Sequence, residues 1–93
     1  MPDKISSLER RGTLKVLLYL LKAPEHKAMI TYIKRETGLG HYAVSSAVHS
    51  LMKLGLVTEI ISESFPYSRE IKLTEKGLKV AKLLSQVEEV LER

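Results

Sequence analysis

The chain has 93 residues, a formal net charge of +4, 44% hydrophobic and 28% charged residues, and no cysteine. That length allows one domain and not two, and the mix of apolar and charged residues excludes global disorder. Without cysteine there are no disulfides, thiolate zinc sites or thiol redox switches, and the positive balance favours a polyanionic partner, nucleic acid being the commonest.

No apolar run approaches the roughly 20 residues of a membrane span. The richest, residues 16–21, is short and has charge close by. Asp3 and Glu9 near the N-terminus do not make a signal-peptide layout, so the expectation is a cytoplasmic protein without a membrane role.

The first predicted element is a helix over residues 6–22. Leu14, Leu17, Leu18 and Leu21 recur at i, i+3, i+4 and i+7, and Val16 and Leu20 widen the stripe, so much of this helix is expected to be buried. Gly12 leaves open a start there, with Ile5 and Leu8 in a preceding turn or arm. Pro24 ends the helix, because the residue before proline is biased out of helical geometry. A loop carries His26 and Lys27, and Ala28-Met29-Ile30 is a candidate short strand. Thr31 is the expected N-cap of a short helix to Thr37, closed by Gly38 in a left-handed position.

A second helix is expected over residues 41–54, ending at Gly55. Residues 56–62, rich in Val, Ile and Thr, predict a strand, and Pro66 with three serines predicts a loop. Residues 69–73 predict the returning strand of an antiparallel hairpin. Thr74 caps the last helix, and Glu75 suits its positive end. The expected order is α-β-α-α-β-β-α in a mainly helical α+β fold, one domain over residues 1–93.

The strongest functional signal lies in residues 42–51. Val44, Ala47, Val48 and Leu51 form one apolar stripe. Tyr42, Ser45, Ser46 and His49 repeat the same spacing two residues earlier, about 200° around the helix. A generic surface helix covers its outer face with Lys and Glu. This one offers hydroxyls and imidazole, groups able to hydrogen-bond base edges in a major groove. The short preceding helix and its glycine turn form the usual mount for such a helix.

Two further stretches carry a resemblance. Leu51-Met52-Lys53-Leu54-Gly55-Leu56-Val57 looks like the exit of a recognition helix into a wing, and Ile71-Lys72-Leu73-Thr74-Glu75-Lys76-Gly77 like the return strand running into the last helix. With the spacing of Gly38-Leu39 to Val44-Ser45, they resemble winged helix–turn–helix regulators of the MarR-like branch, including compact members from archaea and their viruses. The resemblance covers about residues 14–81, within an expected winged-helix core of residues 11–77. It implies a sequence-specific double-stranded DNA-binding regulator. Tyr42, Ser45, Ser46 and His49 would face the major groove, and Lys34, Arg35, His41 and Lys53 the DNA backbone. Arg69, Tyr67 and Ser64 would serve the wing near the minor groove. Residues 22–53 hold five Lys or Arg against two Glu, and all three histidines.

The chain departs from this family pattern in two ways. Many relatives place Arg where this chain has Ser46, so a bidentate Arg–guanine contact is missing from the first turns of the helix. The wing carries Glu63 and a single Arg. Phe65 and Tyr67 either pack on the hairpin or touch DNA or a partner.

Other chemistries find little support. Ser45 and His49 are four apart, but no third group orients the imidazole and no oxyanion-hole motif follows a strand, so no enzyme is expected. His26, His41 and His49 match no metal-site spacing, so neither metal nor cofactor is expected. In the last helix, residues 75–92, Val80, Leu83, Val87 and Val90 have heptad spacing, broadened by Leu84 and Leu91. A core this small does not cover both that stripe and the first helix. The expectation is therefore a homodimer through Leu14, Leu17, Leu18, Val80, Leu83, Val87, Val90 and Leu91, bound to a pseudo-palindromic DNA site. The alternative is a winged helix used as a protein-interaction module. Nothing in the sequence marks an effector ligand.

Overall fold

The computed structural model describes residues 5–9, 12–61 and 68–93. A 3-10 turn at Ile5–Glu9 precedes helix α1 (Thr13–Lys22). Of the two starts left open, the later one holds: Gly12 is the N-cap, with a left-handed φ of 89°. The buried Thr13 hydroxyl donates to the Leu8 carbonyl at 2.5 Å, which ties the turn to the helix.

After α1 a 3-10 turn at Pro24–His26 leads into strand β1 (Lys27–Met29) and helix α2 (Ile30–Thr37). Glu25 and His26 both have positive φ, and the His26 Nδ1 donates to the Leu21 carbonyl at 3.0 Å. The expected Thr31 cap is corrected. The cap position is Met29, without a side-chain bond, and Thr31 sits exposed in the first turn. β1 draws Met29 into the sheet and starts the helix two residues earlier than a threonine cap requires. At the other end Gly38 takes a φ of 72°, which turns the chain toward α3 without the strain a Cβ would add.

Helix α3 (His41–Lys53) is followed by β2 (Val57–Ile61), β3 (Arg69–Leu73) and α4 (Glu75–Glu92). The sheet is antiparallel with order β1-β3-β2, so β1 adds a third strand to the expected hairpin. Ala28 pairs with Ile71, which in turn opposes Glu59, and Val57 opposes Leu73.

The core lies where α1, α2, α3 and α4 meet the inner face of this sheet. Val16, Leu17, Leu20, Ile33, Val44, Ala47, Leu51, Ile71 and Ala81 are fully buried. Leu17 therefore cannot serve as a dimer contact. The middle of the wide α1 stripe is consumed by the protomer's own core, leaving Leu14 exposed and Leu18 half-buried at its border.

The C-terminal end of α3 is tied to the start of α4. The Thr74 hydroxyl accepts from the Gly77 N–H at 3.0 Å, so the predicted cap is present. It also donates to the Gly55 carbonyl at 2.6 Å. Lys76 Nζ donates to the Leu54 carbonyl at 3.1 Å, placing a cation at the negative end of α3. Gly77 lies against the Leu56 backbone so closely that a Cβ would sit 1.8 Å from its carbonyl oxygen.

Candidate nucleic-acid interface

Helix α3 presents one face to the core through Val44, Ala47, Val48 and Leu51, which anchors it along most of its length. The opposite face is open. Tyr42 is 87% exposed, and Ser45 and His49 are exposed at i+3 and i+7 from it. Met52, 43% exposed, continues the stripe to i+10. Ser46 is half-buried at the edge of this stripe and is already engaged within the protein. The outward face thus centres on Tyr42, Ser45, His49 and Met52. The His41 ring meets Tyr42 edge-on, centroids 5.7 Å apart, which orients the phenol at the helix N-terminus.

The basic groups expected at the DNA backbone are divided between α2 and α3. Lys34 is half-buried and Arg35 exposed on α2, and Lys53 is exposed in the last turn of α3. The Arg35 guanidinium sits 4.6 Å from the centroid of the Tyr32 ring, a cation–π contact that limits where its charge can go. Sequence reading passed over Tyr32, although a tyrosine three residues before an arginine on a helix is a visible pair. His49 and Lys53 share a shallow cleft of about 190 Å³ with Ser7, Ser50 and Leu54.

The wing enters through β2 and β3. Arg69, at the base of β3, forms an ion pair with Glu59 of β2. Its Nε donates to Glu59 Oε2 at 3.0 Å, and one terminal nitrogen donates to the same oxygen. Glu59 was not among the sequence candidates. The ten-residue separation carries no periodic signal, and only the hairpin register brings the two together. Ser64 and Tyr67, also assigned to the wing, and Glu63 and Phe65 lie outside the described residues.

The residues assigned to dimerisation divide. On α4, Leu83, Val87, Val90 and Leu91 are 53–79% exposed, a continuous apolar ridge. Val80 is half-buried against the core and lines an apolar groove of about 310 Å³ with Leu8, Leu54, Leu56, Lys76, Leu83 and Leu84. Among the described residues no three His, Asp or Glu side chains converge as a metal site would require, and no helix is long and apolar enough to cross a membrane.

No protein-family model matches this chain, and no curated protein matches it by sequence. Solved structures do. A transcriptional regulator homologue from Pyrococcus horikoshii OT3 superposes with a TM-score of 0.77 at 24% identity, covering 92% of this chain and 85% of its own. A MarR-family transcriptional regulator structure from Porphyromonas gingivalis W83 gives 0.78 at 17% identity, covering 91% and 81%. A mutant of Lactococcus lactis ZitR in its apo form gives 0.72 at 20% identity, covering 85% and 58%. Identities this low carry the fold and not the ligand, and on that ground the chain has the winged helix–turn–helix fold that MarR-type regulators share.

Proposed function

We propose that this protein is a cytoplasmic transcriptional regulator that binds double-stranded DNA as a homodimer. The observation that carries the reading is the open face of α3. It is a rigidly backed helix whose outer stripe of Tyr42, Ser45 and His49 is free of acidic groups, with Lys53 beside His49 in one cleft and Lys34 and Arg35 on the preceding helix. Such a face supplies hydrogen-bonding groups for base edges and cations for phosphates, which set affinity and register. The exposed ridge of Leu83, Val87, Val90 and Leu91 supports a second copy, whose two-fold axis would match a pseudo-palindromic site.

A gel-shift titration against random-sequence duplexes tests the reading. Binding should weaken steeply with salt, as phosphate neutralisation demands. Absence of binding at low salt refutes it. Selection from a random pool should then yield a site with inverted half-sites about one helical turn apart.

A protein-interaction module is the second reading, favoured by Met52 on the outer stripe and by Ile60 and Ile61, 40% and 58% exposed, on the wing. Retention on heparin and on duplex DNA with salt-dependent elution favours the regulator; passage through both columns favours the module.

A further inference from the structure

Arg69 is the arginine at the base of the wing, and its environment is unusual for a phosphate-seeking cation. Its partner Glu59 is only 19% exposed at the side chain, whereas Arg69 is 59% exposed. Glu59 opposes Ile71 in the ladder and Arg69 opposes Ile61, so the two side chains leave the same face of the hairpin as diagonal neighbours. The carboxylate is held low against the sheet, and the guanidinium reaches over it toward solvent. Two of the five guanidinium N–H groups are spent on a single carboxylate oxygen. The planar fork is thereby fixed in direction, with a negative charge directly beside its positive one.

We propose that Glu59 is a positioning residue for DNA recognition. It converts Arg69 from a mobile phosphate-binding charge into an oriented hydrogen-bond donor aimed at the groove. This rests on the DNA-binding reading above and assigns specificity to a residue that would itself touch no DNA. A guanidinium released from Glu59 swings to the nearest phosphate, where it adds affinity for every sequence alike. Held by Glu59, it contributes little to general attraction and presents its remaining N–H groups in one geometry. The arrangement also makes up part of what the recognition helix lacks, since α3 carries no arginine of its own.

The test uses Glu59→Gln, which keeps the shape of the side chain and removes its charge. Affinities for a selected site and for a scrambled duplex of equal length are measured across a salt series. The variant should bind the scrambled duplex more tightly than wild type. Its salt dependence should steepen by about one phosphate per subunit. The ratio between selected and scrambled affinities should fall about tenfold, the scale of one oriented arginine contact. In an Arg69→Ala background the same Glu59→Gln change should alter the ratio less than twofold, because the two residues act as one unit. A Glu59 that only stabilises the hairpin predicts a lower melting temperature with the salt slope and the ratio unchanged, and that result overturns the proposal. So does a full-sized loss of discrimination from Glu59→Gln when Arg69 is already absent. A wild-type chain that binds no duplex refutes the DNA-binding reading and this inference with it. A wild-type chain that binds while the variant's ratio stays fixed refutes this inference alone.

Discussion

Gly77→Ala sets two physical effects against each other with opposite signs. Gly77 lies inside α4, where alanine is the better helix former by about 1 kcal/mol. By propensity alone the substitution stabilises the protein. The packing says otherwise. A Cβ at this position would lie 1.8 Å from the Leu56 carbonyl oxygen, 2.8 Å from its carbonyl carbon and 3.2 Å from its Cα. These are backbone atoms at the start of the wing and no rotamer relieves them, so α4 must retreat by more than an ångström. That movement pulls on the bonds joining α4 to the end of α3: Thr74 to Gly55 and Lys76 to Leu54. Overpacking a tight contact costs about 3 kcal/mol at the upper end of its usual range. Subtracting the propensity gain leaves a net loss of about 2 kcal/mol. For a domain of this size each kcal/mol moves the melting temperature by about 4–8 °C, so a fall of about 10 °C is expected in a thermal melt followed by circular dichroism. Lys79→Ala, exposed on the same helix, should stay within about 0.5 kcal/mol of wild type. A Gly77→Ala melting temperature equal to or above wild type would show that the close approach to Leu56 is not a constraint.

Three further outcomes are expected. Leu17→Ala empties a fully buried site and should cost about 2–5 kcal/mol in urea unfolding, whereas Leu14→Ala, 42% exposed, should cost under about 1 kcal/mol; equal losses would contradict the division of the α1 stripe. Under the proposed dimer, wild type should scatter light as two chains, and Val87→Glu with Leu91→Glu, which places charge on the exposed α4 ridge, should reduce the mass to one; a monomeric wild type would refute the dimer, and an unchanged dimer would put the interface elsewhere. Thr74→Ala removes the α4 cap and the bond to Gly55, and should lower stability by about 1–2 kcal/mol in the same unfolding assay.

Much of the architecture was legible because it rests on short-range rules. Period and punctuation placed α3 between the Gly38-Leu39-Gly40 turn and Gly55, and Thr74 marked the start of α4. Alternation in residues 69–73 marked β3, with Ile71 and Leu73 inward as found. These features depend on residues within a turn or two of one another, and a linear chain displays them directly. The cap of α2 failed for the complementary reason. Thr31 had the right chemistry, but pairing of Met29 with Glu70 across the sheet fixed where the helix could begin.

The sequence by itself determined which residues share a face: the apolar and polar stripes of α3, the long ridge of α4, and the inward positions of the wing. Only the tertiary structure decided which part of each stripe meets a neighbour. It buried Leu17 while leaving Leu14 and Leu83 open, moved Ser46 to the margin of the outer α3 face, and put Met52 on it. It also joined Glu59 to Arg69. Periodicity specifies direction around an element and says nothing of what stands opposite. That depends on strand register and on how closely helices approach, and both are set by residues distant in the chain.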